Sequence, residues 1–416
     1  MRFDIIVLGA GMVGIATAIH LRKAGMSVLL CDRRAPGEET SFGNAGIIQR
    51  EGVHPYLFPR DPAKLLAYAF NAKPEARYRL STLPAVLPFL WRYFRASTPR
   101  KARETLAANI PLFERCLTTH GALVREAGAE ALIAKGGWLA SYRSESSLAA
   151  ERGRLAELAD LGIDAAGISA SQVGELEPHV DVSRLAGAIH FRDPWTASDP
   201  GALCKAYAAL FGKLGGRFAR GEALTLARQS GRWTFDTEEG RASAPQAVVA
   251  LGPWSKGLLD NLGCHLPMGV KRGYHLHYRP AGNAVLSRPL LDADNGFVLA
   301  PMAAGIRLTT GAEFTLAGAP KNPDQIAATL PLGRELFPLG DQVEKEAWMG
   351  SRPVMPDMRP VIGACGPEWP GLYANFGHAH HGFTLGPVTG LLLAQIVSGQ
   401  TPFCDPAPFS ADRFLS

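Results

Sequence analysis

Phe3-Asp4-Ile5-Ile6-Val7-Leu8-Gly9-Ala10-Gly11-Met12-Val13-Gly14 reads as a buried parallel strand running straight into a Gly-x-Gly-x-x-Gly turn. A helical pattern follows through Ile15, Ala18, Ile19 and Leu21 to Gly25, and a second apolar strand, Ser27-Val28-Leu29-Leu30-Cys31, ends at Asp32. In such a unit the first glycine makes the tight turn and the second lets a pyrophosphate approach the backbone. The third lets the helix pack closely on the strand, and the helix N-terminus faces the phosphates. Asp32, eighteen residues after Gly14, is placed to accept hydrogen bonds from a ribose diol. An acid rather than Arg at that position disfavours a 2′-phosphate, so NADP is set aside while FAD and NAD remain.

The 416 residues suit two or three domains with large cores. Net charge is +5 without any run of five basic residues, which gives nucleic-acid binding little support. Mild basicity suits an anionic substrate or an anionic membrane surface. The six cysteines, at 31, 116, 204, 264, 365 and 404, show no CxxC and no metal-ligand spacing, so free thiols in a reducing compartment are expected. His378, His380 and His381 invite a metal reading, but no carboxylate or Cys stands at helical or strand spacing from them, and no metal is expected. No window is apolar enough to span a bilayer. The first strand begins at residue 3 and leaves no room for a presequence, so a cytoplasmic location is expected.

Beyond Asp32 the chain carries a Gly/Ser-rich loop at Thr40–Gly46, then a dense apolar-aromatic segment from Leu83 to Phe94 with Arg92, Arg95 and Arg100 in or just after it. That segment has two readings: a helix packed on a second domain, or a peripheral contact with the inner face of a membrane. Leu106, Ile110, Phe113, Leu117 and Val124 predict an amphipathic helix ending near Gly128. Ser169–Gln172 is a capping box, and Asp199-Pro200 opens another helix as N-cap and N1. Short strands are expected around 223–228 and 233–236. Ala247–Ser255 repeats the logic of the first turn, a buried strand entering a glycine turn and helix. Strands at Tyr274–Tyr278, Phe297–Pro301 and Ile306–Thr310 suggest an antiparallel sheet apart from the nucleotide domain. The chain closes with a strand at Leu372–Phe376, a His/Gly-rich turn and a helix from about Leu385.

These motifs together resemble the D-amino acid oxidase superfamily of FAD-dependent oxidoreductases, and within it the bacterial D-amino acid dehydrogenases. The resemblance runs over nearly the whole chain. Its more specific parts are Thr40-Ser41-Phe42-Gly43-Asn44-Ala45-Gly46 and Gly350-Ser351-Arg352-Pro353-Val354-Met355-Pro356-Asp357. It also covers Ser198-Asp199-Pro200, Val249–Ser255, Arg272–His275, Pro360–Gly363 and Gly377-His378-x-x-x-Gly382-Phe383-Thr384. It implies a two-domain α/β (α+β) protein: a Rossmann-like FAD domain from residues 1–50, 196–260 and 345–416, and a mostly antiparallel substrate domain from 51–195 and 261–344. By resemblance Gly9, Gly11, Met12, Val13, Gly14, Asp32 and Arg33 would hold the ADP half of FAD. Ser41, Asn44, Ala45, Gly46, Gly252 and Trp254 would line the way to the flavin. The turn with Gly377, Gly382, Phe383 and Thr384 would bring a helix N-terminus to the flavin's N1/C2=O edge, where reduced flavin is negative.

The same resemblance implies oxidative deamination of a D-amino acid to a 2-oxo acid and ammonia, by hydride transfer to flavin N5. Electrons would pass to a quinone or other acceptor. Arg352 is the candidate anchor for the substrate carboxylate, because guanidinium is a planar bidentate donor. The competing reading is an Arg352–Asp357 ion pair bracing a loop. Tyr274 is a candidate pocket wall, against ordinary sheet packing, and His378 a candidate histidine near substrate. Alternatives are a cyclic imino acid such as D-proline or hydroxyproline, glycine or sarcosine, an NAD-dependent dehydrogenase, or a flavin subunit of a larger complex. Nothing in the sequence assigns the oligomeric state.

Overall fold

The computed structural model describes residues 1–61, 65 and 76–415. One sheet has six strands in the order Arg217–Arg220, Val28–Asp32, Ile5–Leu8, Gln246–Val249, Leu372–Phe376 and Val361–Ala364. The first five are mutually parallel and the last is antiparallel. Strands Ile5–Leu8 and Gln246–Val249 are buried along their whole length, as a sheet covered on both faces requires.

One face carries the helices Met12–Lys23, Pro200–Lys213 and Gly382–Val397. The other is covered by an antiparallel meander, Ala227–Gln229, Arg232–Thr237 and Gly240–Ala244, whose Trp233 and Phe235 are buried with Ile6, Leu8 and Val249. The segment expected as a strand from 223 is first a one-turn helix, Ala223–Thr225, and only then a strand.

Helix Gly382–Val397 starts three residues earlier than the sequence pattern suggested. Gly386 and Pro387 hide its first turns from a propensity reading. Both have a physical role. A Cβ at Gly386 would lie 2.8 Å from Met12 Cγ, and one at Gly390 2.7 Å from the Thr17 backbone nitrogen, so the two helices touch through bare backbone. Pro387 cannot donate to the Phe383 carbonyl, and buried His120 supplies the missing donor through Nε2 at 2.9 Å. Burial holds His120 neutral, its pKa lowered to about 4, which suits this role.

The second sheet is mostly antiparallel and is built on the long strand Gly269–Pro280. That strand pairs with Gly305–Thr309 and Ala312–Phe314 on one edge and with Trp348–Val354 on the other. Its two faces differ. Tyr274, Leu276 and Tyr278 face an apolar core with Leu299, Leu308 and Phe337. Lys271, Gly273 and His275 face the opposite way.

The apolar-aromatic segment is a helix, Leu83–Ala96, followed by Pro99–Ala127, which ends at Gly128 in the left-handed conformation. Tyr93 is buried, whereas Leu87 and Trp91 are 51% and 62% exposed. The capping box at Ser169 and the Asp199 cap form as expected. Among the described residues no helix is long and apolar enough to cross a membrane.

Candidate active site

The glycine turn is tied together by its own backbone. Gly9 sits at φ +107°, and a Cβ on Gly14 would collide with the Gly9 carbonyl. A Cβ on Gly9 would collide with the Ala250 carbonyl. Asp32 ends the second strand with one carboxylate oxygen accepting from Ala10 N at 2.7 Å and the other from Arg34 N at 3.2 Å. Beside it, the Arg33 guanidinium stacks 4.5 Å from the Trp254 ring centre and donates to Glu39 at 2.7 Å. Gly252, at φ +56°, has open space where a side chain would stand. Ser41 Oγ accepts from Met12 N at 3.0 Å and so reaches the N-terminus of the first helix. Val13 lies 3.8 Å from a Cβ built on Gly382, which brings the N-termini of the two helices side by side.

The loop after Ser41 turns sharply. Asn44 Oδ1 accepts from Gly46 N at 2.8 Å, and Gly46, at φ +76°, leaves no room for a Cβ against the Ala197 carbonyl. Arg307 donates to the Asn44 carbonyl and, at 3.1 Å, to that of Phe42. Ala45 is partly buried against the first domain's core. Thr384 Oγ1 joins the loop to the last helix, accepting from Gln49 N at 3.1 Å and donating to Ile47 O at 3.3 Å. Phe383 is buried in that junction. Gly377, at φ +86°, packs against Met355.

The second sheet meets these loops through Trp348–Val354. Its register puts Arg352 directly opposite Lys271, and Gly350 opposite Gly273. A Cβ at Gly273 would collide with the Arg352 guanidinium, so that group lies over the Lys271–Gly273–His275 face. Arg352 donates to the Gly311 carbonyl at 3.2 Å. Asp357 is engaged elsewhere, by Arg359 at 2.9 Å and Arg413 at 2.8 Å, so the loop-bracing ion pair with Arg352 does not form.

The turn from His378 to His381 is pinned to this strand. Ala379, at φ +53°, donates to the Pro353 carbonyl at 2.8 Å. His380 meets the ring of Tyr56 edge-on at 4.7 Å, and its Nε2 is buried without a partner. Burial, His381, Arg352 and Lys271 together push its pKa well below the usual imidazole value. Burial and the Arg352 charge lower Lys271 to about 7. Nearby Glu51 accepts from Trp138 at 2.7 Å and Gln49 at 3.0 Å, and burial raises it to about 7. Chemically, the face offers the Arg352 guanidinium, an imidazole held neutral at His380, and an amine at Lys271 whose charged form burial disfavours.

The family model described as DAO, FAD dependent oxidoreductase, matches residues 4–396. The chain belongs to this family. It is 30% identical to a D-amino-acid oxidase of Bradyrhizobium diazoefficiens over 98% of both chains. It is also 30% identical to a D-amino acid dehydrogenase of Rhizorhabdus wittichii, over 99% of this chain and all of the other. In fold it is similar to glycine oxidase from Geobacillus kaustophilus, with a TM-score of 0.73, 22% identity and full coverage of both. The chain is thus an FAD-dependent oxidoreductase, and FAD is its cofactor. The residues present fit that group: a glycine turn that admits no Cβ, an aspartate at the end of the second strand, and two adjoining helix N-termini.

The structure places two of the expected site residues away from Arg352. Tyr274 is on the far side of its strand from Arg352; its hydroxyl donates to Glu313 at 2.7 Å and accepts from Asn322 N at 2.9 Å. Strand alternation settles this once Gly273 is known to lie under Arg352. His378 turns into the protein: its Nε2 lies 3.0 Å from Thr389 Oγ1 and burial lowers its pKa to about 3. The histidine that senses Arg352 is His380. Lys271, Tyr56 and Glu51 went unnoticed in the sequence. Lys271 was findable, since it shares strand parity with Gly273 and His275, but its position across from Arg352 is a matter of register alone.

Proposed function

We propose that this oxidoreductase deaminates D-amino acids. The observation that carries the reading is Arg352: a guanidinium over the Gly273 face, bonded among the described residues to one backbone carbonyl, with its nearest sequence carboxylate taken by two other arginines. Such a group is suited to a ligand carboxylate, which it can hold through two parallel hydrogen bonds. The names of the two relatives at 30% identity point the same way.

In this reading Gly9, Gly11, Gly14 and Asp32 hold the ADP half of FAD, and the loop Ser41–Gly46 with the turn Gly377–Thr384 holds the rest. Residues 1–50, 196–260 and 345–416 form the cofactor domain, and 51–195 with 261–344 the substrate domain, except that strand Trp348–Val354 pairs in the substrate domain's sheet. The chemistry FAD supplies when bound is two-electron oxidation of the Cα–N bond. Arg352 fixes the carboxylate and thereby the direction of the Cα–H bond. The amine reacts as the neutral form, its proton released to water, and His380 Nε2 accepts a hydrogen bond from it. Water then converts the imino acid to a 2-oxo acid and ammonia. Electrons leave to a quinone or another acceptor. The exposed Leu87 and Trp91 on helix Leu83–Ala96 support a route to a membrane-bound acceptor.

The test is anaerobic mixing of the yellow protein with D- and L-amino acids. Bleaching by D-amino acids, with a 2-oxo acid and ammonia as products, is expected. Bleaching only by L-amino acids, glycine or sarcosine would overturn the reading.

A further inference from the structure

We propose that the preferred substrate carries a second carboxylate, as D-aspartate and D-glutamate do, with Arg352 holding the α-carboxylate and Lys271 the side-chain one. This rests on the deamination reading and narrows it to acidic substrates. Lys271 and Arg352 are direct cross-strand partners on one face of an antiparallel pair. Like charges placed opposite each other in a sheet repel. Among the described residues no carboxylate neutralises them. Lys271 Nζ donates to the Tyr93 hydroxyl at 3.2 Å and lies 4.5 Å from the Tyr93 ring centre and 5.1 Å from that of Phe314. These partners are polarisable and accept a cation, but none carries charge. Arg352 has one backbone carbonyl. Among the described residues no carboxylate forms an ion pair with either.

Charge counting then discriminates between substrates. A neutral D-amino acid brings one carboxylate and leaves Lys271, whose ammonium form burial and Arg352 already disfavour, without a counter-ion. An acidic one brings two. Cross-strand partners hold their Cβ atoms about 4.5–5.5 Å apart, and long side chains on them diverge, a spacing that suits the two carboxylates of a four- or five-carbon diacid. The ring of Tyr93, on helix Leu83–Ala96, closes the Lys271 end.

The experiment compares anaerobic bleaching of bound FAD by D-aspartate, D-glutamate, D-alanine and D-leucine. In the natural protein the second-order rate for an acidic substrate should exceed that for either neutral one at least tenfold. Lys271→Met should cut the acidic-to-neutral ratio at least thirtyfold, and Lys271→Arg should keep it. Neutral substrates bleaching faster, or a ratio unmoved by Lys271→Met in protein that retains FAD, would overturn the assignment while deamination stands. If none of the four bleaches the flavin, the deamination reading falls and takes this one with it.

Discussion

Arg272 and Arg352 lie on paired strands one register step apart, yet they live in opposite worlds. Arg272 is wholly buried and donates to Glu313 at 2.8 and 3.0 Å, to the Tyr274 hydroxyl at 2.9 Å and to the Pro320 carbonyl at 2.7 Å. Arg352 faces the other side of the sheet with one carbonyl for company and Lys271 across from it. A charge buried for structure has to come with its own counter-ion, since an isolated one costs several kcal/mol. A charge left without one, beside a second cation, is arranged for something that arrives. The contrast separates the structural face of strand Gly269–Pro280 from its chemical face more sharply than residue type does.

The strongest way to break the contrast is to remove each arginine. Arg272→Met leaves Glu313 buried with only Arg79, at 3.0 Å, to pair it. The loss should be about 3–5 kcal/mol of unfolding free energy in a denaturant titration. A loss below about 1 kcal/mol would show that this face is not the structural one. Arg352→Ala should instead lower kcat/KM for the best D-amino acid roughly 100- to 1000-fold, since truncating one partner of a bound charge pair costs about 2–5 kcal/mol. FAD should stay bound and the melting temperature should not fall. Equal damage to stability in both variants would erase the distinction. Between them stands Tyr274→Phe, which removes a donor to Glu313 and an acceptor for Asn322 N. It should cost about 1–3 kcal/mol of stability. A rise in KM without that loss would return Tyr274 to the pocket.

Much of this was legible before the fold was seen. Gly9-x-Gly11-x-x-Gly14 and Asp32 carry their meaning locally, because a turn, a helix start and a strand end are short-range events, and the structure builds them in the expected order. The Asp199 cap and the left-handed Gly128 are local in the same sense. The pocket is not. Tyr274 and Lys271 differ by an odd number of residues on one strand, so which of them meets Arg352 depends on the facing sheet and on the bare backbone of Gly273. His378 and His380 likewise exchange roles through the left-handed Ala379, a conformation that an alanine does not advertise. Long-range register and turn handedness decided what residue identity could not.

The finest probe of the chemical face is pH. Burial and the Arg352 charge lower Lys271 from its ordinary value of 10.5 to about 7, while Tyr93 beside it carries no charge to oppose this. Between those two values the unfolded chain binds a proton there that the folded protein has largely released. Stability must therefore rise with pH across that window. The clean part runs from about 7 to 8. Below it the buried histidines and Glu51, itself raised to about 7, titrate. Above about 8 the buried cysteines begin to differ from the unfolded chain, a contribution that Lys271→Met leaves in place. The slope cannot exceed about 1.4 kcal/mol per pH unit and is smaller for a partly exposed group. Lys271→Met removes it without emptying the site. The variant should melt higher than the natural protein at pH 7, and the gap should narrow steadily as pH rises towards 9. A gap independent of pH would mean that Lys271 is already paired, and the two faces of the strand would be electrostatically alike.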